Sequence, residues 1–174
     1  MPDLGPSHIL DASVAIDIID GDLIEAVAKL PFTIGIPDVI LHRELHSYPE
    51  YHSGQYTFVE IEFEDTQIIQ VAHLKSQTNK VSTPDLFAFL SAKYYSCCLI
   101  TGDNNLRKLA ESSGVTVHGV LWLLDMLISE NLLSPAKASE ALYKLSNGGS
   151  RLPKNECRKR FKKWKAPKNY YENL

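Results

Sequence analysis

Short apolar runs alternate along this chain with longer stretches in which the apolar residues recur at helical spacing. HILDASVAIDII (8–19) opens on a run that reaches Asp11, and VAIDII then resumes a pattern compatible with a helix start. DLIEAVAKL (22–30) has helical spacing, and FTIGI (32–36) reads as a short strand. Pro37 at a first helical position, with Asp38 beside it, starts IPDVILHRELHSY. TFVEIEFED (57–65) alternates, with Val59, Ile61 and Phe63 on one face and Glu60, Glu62 and Glu64 on the other, as a half-solvated strand does. The pattern from Thr66 to Ser76 is helical, and Ser82-Thr83-Pro84-Asp85 opens the helix LFAFLSAKYY. CCLIT is a strand, NLRKLAESS a helix closed by Gly114, VTVHGV (115–120) a strand and LWLLDMLISENLL a helix. Ser134-Pro135 caps AKASEALYKLS, which Asn147-Gly148-Gly149 ends. Strands alternating with helices predict an α/β fold with a parallel sheet covered on both faces.

Composition narrows the class. The 174 residues are enough for one domain with a substantial core, and 44% hydrophobic with 22% charged residues is the balance of a soluble globular protein. No window approaches the ~20 apolar residues of a spanning helix, and the richest, GVLWLLDMLI, is broken by Asp125. MPDLGPSH lacks the basic segment and apolar stretch of a signal peptide, so a cytoplasmic location without membrane partners is expected. Three cysteines, two of them adjacent in the CCLIT run, read as small buried hydrophobes. Charge is segregated: residues 1–150 hold nine Lys/Arg against nineteen Asp/Glu, and residues 151–174 hold nine against two. The expected organisation is a main domain over 1–150 followed by a basic C-terminal helix or tail over 151–174.

The acids have a pattern of their own. Asp11 follows the first strand and Asp103 the CCLIT strand; Asp85 sits in a helix first turn, and Glu44 lies one or two turns into the helix after FTIGI. Ligands of open parallel sheets bind beyond the carboxyl ends of the strands, so four carboxylates distant in sequence can meet there. Taken singly, Asp85 and Asp103 read equally well as helix-start residues. Asp11 does not, because an acid after a buried strand is costly without a partner. Like charges held together call for a cation, and Mg²⁺ or Mn²⁺, which take oxygen ligands and retain water, meet that need.

LDASVAI, IPDVILHREL and STPDLFAFLSAKYYSCCLITGDNNLRKLAESSGVTVHGVLWLLDML together resemble a PIN domain, and most closely the VapC-type ribonuclease toxins. The likeness covers roughly residues 7–165 and is specific in order and spacing. It implies a three-layer α/β/α fold with a central, mostly parallel sheet and a C-terminal helical extension. It also implies an acidic pocket holding one or two Mg²⁺ or Mn²⁺ ions that cleaves RNA to 5′-phosphate and 3′-hydroxyl ends. Matched position by position, Asp11, Glu44, Asp85 and Asp103 are the four acids. The resemblance implies that Asp11, Asp85 and Asp103 hold the ion, directly or through water, and that Glu44 helps position or deprotonate the attacking water. Ser13 and Thr101 match hydroxyls that orient carboxylates, with Asn104 and Asn105 beside them. Many relatives carry an acid where Asn105 stands, which bears on a second ion. The implied partners are an RNA substrate, a cognate antitoxin and a second copy in a homodimer.

Other signals compete. His42 and His46 are four apart in a helix, but at about 100° per residue Glu44 points about 200° from His42, so the set does not form a zincin site. His8, His52, His73 and His118 show no ligand spacing, and Asp17, Asp20 and Asp22 read as turn and helix-end residues. In RLPKNECRKRFKKWKAPK, Pro153 fits a first helical turn and Cys157, Phe161 and Trp164 form a narrow apolar stripe among cations. The stripe fits a docked terminal helix; Arg158, Lys159 and Lys162, with Arg107 and Lys108 nearer the acids, also fit RNA-backbone contacts. Besides the metal-dependent endoribonuclease, two readings stand: a PIN-like protein- or nucleic-acid-binding module with feeble hydrolysis, and a nuclease for DNA or junctions.

Overall fold

The computed structural model describes residues 5–49, 58–172 and 174. The chain divides into two compact units. The first comprises the described residues up to Ala15 with Pro31–Gly119, and the second comprises Ile16–Leu30 with the chain from Val120 onward.

The first unit is a five-stranded sheet flanked by helices. Strands β1 (His8–Leu10), β2 (Ile34–Pro37), β3 (Val59–Ile61), β4 (Cys98–Ile100) and β5 (Val117–His118) stand in the order 3-2-1-4-5, and every pairing is parallel. Register sets His8 opposite both Ile34 and Cys98, and Ile100 opposite His118. The apolar runs become central strands because Ile9, Leu10, Ile36, Leu99 and Ile100 are fully buried, as a sheet covered by helices requires. Strand order reverses on either side of β1, so the crevice at the carboxyl ends of β1 and β4 is the switch point where such sheets take ligands.

Several boundaries differ from the sequence pattern, each for a local reason. Pro37 closes β2 in an extended conformation (ψ 135°) and precedes the helix instead of starting it. Helix α1 (Ala12–Asp20) follows β1 directly, and the stretch expected over 22–30 is helical only at α2 (Ile24–Val27). Helix α3 (Asp38–Ile40) runs into a π-helical turn, Leu41–Leu45, a winding frequent at functional sites. The alternating strand is cut to three described residues because Glu64 and Gln67 form a capping box at α4 (Asp65–Gln77). Val59, assigned to the buried face, is 43% exposed. Helix α5 (Thr83–Tyr94) starts as expected, with the Ser82 hydroxyl accepting from the Asp85 amide at 3.2 Å; it lies against β1, β2, β4 and α4. Helix α6 (Asn104–Ser112) follows β4. Cys97 and Cys98 are half-buried, and burial pushes the Cys97 thiol up to about 11, so it stays protonated.

The second unit holds the rest of α1, α2, α7 (Val120–Ser129), α8 (Pro135–Asn147), α9 (Lys154–Lys163) and a 3₁₀ turn, Lys168–Tyr170. The apolar stripe of the basic segment docks: Cys157, Phe161 and Trp164 are buried, and Pro153 precedes α9 as its cap residue. Arg160 turns inward, donating from Nε and Nη2 to Asp125 at 3.0 and 2.6 Å. Asp17 is a buried mid-helix residue instead of a helix end, accepting from the Ser150 hydroxyl at 2.6 Å. Burial raises its pKa, and the Ser150 bond opposes the rise. Asp22, in a left-handed turn conformation (φ 55°), pairs with Lys144. No helix of the described residues is long and apolar enough to cross a membrane.

Candidate active site

Asp11 leaves the carboxyl end of β1 and is completely buried. Its Oδ1 accepts from the Val14 amide at 2.9 Å, the Ser13 hydroxyl reaches both carboxylate oxygens at 2.9 Å, and the Thr101 hydroxyl donates to Oδ2. Those hydroxyls are themselves oriented. Ser13 Oγ accepts from the Gly102 amide at 3.1 Å and Thr101 Oγ1 from the Asp103 amide at 2.9 Å, so each single proton points at Asp11. Burial raises the Asp11 pKa to about 6; the bonds from Thr101, Val14 and Ser13 oppose the rise, and the charge of Asp85 adds to it.

Gly102 permits this arrangement, since a Cβ there would lie 3.0 Å from Ser13 Oγ, where the neighbour must shift. Gly102→Ala is therefore expected to press on Ser13 Oγ and weaken its bonds to Asp11 and to the Gly102 amide. Faster amide exchange at that position, with the melting point staying close to wild type, checks this.

Asp103 takes the helix-start place that its position in the sequence allows. It caps α6, with Oδ1 accepting from the Asn105 and Leu106 amides at 2.8 and 2.7 Å, while Oδ2 has no partner among the described residues. Asp85, in the first turn of α5, accepts from the Ser82 hydroxyl at 2.7 Å. Burial raises its pKa first, and the charges of Asp103 and Glu44 push it further. Glu44 is exposed on the π turn, without a bonded partner among the described residues. The four acids are thus coupled through Asp85, which feels Asp103 and Glu44 and is felt by Asp11.

Among the described residues no three carboxylate, imidazole or thiol groups stand close enough to form a ready-made ion cage. The donor set nevertheless fits a hard divalent ion: Asp103 Oδ2, the Glu44 carboxylate and the second oxygen of Asp85 have no partners among the described residues, and Asp11 is buried at a cost that a cation offsets.

Asn104 and Asn105 are exposed in the first turn of α6 and Lys108 is exposed further along it, while the Arg107 guanidinium is bonded to strand carbonyls. Lys159 pairs with Glu156 at 2.7 Å, Arg158 is half-buried and Lys162 exposed, all on α9 in the second unit. His42, on the π turn with Glu44, has its Nε2 3.1 Å from the Glu60 carboxylate. His52 lies outside the described residues. Sequence reasoning missed Gly102 and the bond from Ser82 to Asp85; the Ser-x-x-Asp capping pattern carried a signal for the second.

A family model described as a PIN domain matches residues 7–166. No curated protein matches the chain. With its five-stranded parallel sheet and its acids at the carboxyl ends of the strands, the chain belongs to the PIN domain family, whose members are generally nucleases.

Proposed function

We propose that this chain is a Mg²⁺- or Mn²⁺-dependent endoribonuclease of the VapC-type branch, the cytoplasmic toxin of a toxin–antitoxin pair. The observation that supports it most is the coupling of Asp11, Asp103 and Glu44 to Asp85 at the switch point of a parallel sheet. A divalent ion there would supply the positive charge that offsets the phosphate and acidifies water. Asp11, Asp85 and Asp103 are the residues that would hold it, and Glu44 orients the attacking water and takes its proton. The attack breaks the bond from phosphorus to the 3′ oxygen, leaving a 5′-phosphate and a 3′-hydroxyl. Ser13 and Thr101 hold the Asp11 carboxylate in place. A cognate antitoxin and a second copy of the chain are the proposed protein partners, and the basic residues of α9 are proposed to contact RNA.

Metal titration tests this. Asp11 protonates more readily in the fold than in the unfolded chain, so that contribution to stability is full below about 3.8 and is lost as pH rises through about 6. Above pH 6 the ion has an uncompensated charge to neutralise. Mn²⁺ at a hundred times its Kd should therefore stabilise by about 2.7 kcal/mol, which is about 2–4 °C per kcal/mol for a chain of this size. At one fixed Mn²⁺ concentration, a hundred times the Kd at pH 7.5, the shift should be larger at pH 7.5 than at pH 5, and the same preparation should cleave RNA only with metal present. Equal shifts at both pH values, or cleavage that survives chelation, would count against the proposal. Asn105 favours a second reading, a binding module with feeble hydrolysis, because an amide brings no charge toward a second ion. RNA retention with Mn²⁺ bound but no cleavage would select that reading.

A further inference from the structure

The turn that carries two pocket residues is tied down by a side chain outside the acid set. Arg107 Nη2 donates to the carbonyls of Thr101 at 3.2 Å and His118 at 3.1 Å, and Nη1 to that of Val117 at 3.4 Å. The His118 carbonyl also accepts from the Thr101 amide at 3.0 Å, so the guanidinium sits where the ladder between β4 and β5 runs out. Glu111, one turn on, lies 3.5 Å from Nη1. On the backbone side, the Arg107 amide donates to the Asp103 carbonyl at 2.9 Å. Thr101, Gly102, Asp103 and the first turn of α6 are thereby closed into a loop by the guanidinium. Gly119 leaves room for it: a Cβ there would lie 3.3 Å from Nη2 and 3.4 Å from the Thr101 carbonyl.

We infer that Arg107 is a positioning residue for the acid pocket, holding the Thr101–Gly102–Asp103 turn to the ends of β4 and β5. In that place the Thr101 hydroxyl and the Asp103 carboxylate are presented as one rigid piece. The inference rests on the reading of the pocket as an ion site. An arginine rich in carbonyl partners has few donors left for phosphate, and a planar fork bridges several carbonyls where an ammonium cannot. Thr101 transmits the constraint to Asp11 through its hydroxyl, and Asp103 carries it to the open Oδ2.

Arg107→Lys and Arg107→Gln separate this role from an RNA contact. In metal-free protein, amide exchange at Gly102 and Asp103 is expected to speed up by about tenfold as the turn loosens. Mn²⁺ affinity by calorimetry is expected to fall about 10- to 100-fold. The salt dependence of RNA retention in chelator should stay that of wild type. Gly119→Ala, which keeps the arginine's charge but crowds Nη2, should move exchange and Mn²⁺ affinity in the same direction, and it serves if the Arg107 variants do not fold. Unchanged exchange and Mn²⁺ affinity overturn the inference, as does a salt slope reduced by about one with Mn²⁺ binding intact. A wild-type protein that binds no Mn²⁺ defeats the proposed function by itself, and the exchange rates then uphold or overturn the place given to Arg107.

Discussion

On the proposed function, Asp103→Asn is expected to lower metal-dependent RNA cleavage more than about 100-fold while leaving the melting point close to wild type. On that reading the residue has two jobs on different oxygens: Oδ1 accepts from the Asn105 and Leu106 amides, and Oδ2, which has no partner among the described residues, is left for the ion. Asparagine caps a helix about as well as aspartate, so its side-chain oxygen can keep both amide bonds. What it removes is the charge. Losing an outer partner of a ligand already costs about 10- to 100-fold, and losing a ligand should cost more. Asp103→Ala is expected to combine that loss of turnover with about 1 kcal/mol of lost stability, because the cap goes too. Single-turnover rates and denaturant midpoints for the two variants separate the jobs. If Asp103→Asn turns over at the wild-type rate, the carboxylate is a cap and nothing more.

Phe161→Ala is expected to destabilise the second unit by about 3–5 kcal/mol, the usual cost of deleting a buried aromatic side chain. The ring is fully buried, with Tyr170 edge-on and Tyr171 stacked, each at a centroid distance of 6.0 Å. Lys162→Glu, at the next position on the same helix, should stay within about 0.5 kcal/mol, since its side chain is exposed. Denaturant unfolding followed by tryptophan fluorescence suits the comparison, because Trp164 belongs to the same buried stripe. Equal stability of the two variants would show a basic arm that does not pack. The expected contrast explains how a strongly cationic segment belongs to a folded unit: three apolar side chains at helical spacing anchor it, and the exposed cations are left to interact with water or phosphate.

The same contrast runs through the whole molecule. Strand and helix alternation is legible in the chain because burial on both faces demands continuous apolar runs such as HIL and CLI, and caps such as Ser82 and Ser134 mark where helices begin. Asp11 stands out in the chain because a carboxylate has few reasons to end a core strand, whereas Asp85 and Asp103 read equally well as helix-start residues and Glu44 ends no strand. Boundaries are less so: Pro37 suits the end of a strand as well as the start of a helix, and Glu64 fits an alternating strand as well as the capping box that ends it. Asp17 resembles a helix end in the sequence because its partner, Ser150, lies 133 positions away.

By itself, then, the sequence determined which segments alternate, which faces are apolar and which residues carry oxygen chemistry, since these depend on the identity of each residue and its near neighbours. Tertiary structure alone decided what those residues touch. Thr101 meets Asp11 across 90 positions, the Arg107 fork finds carbonyls of β5 and of the turn after β4, and a π turn rather than an α turn presents Glu44. Bonds of that kind are set by strand order and register, which local spacing does not encode.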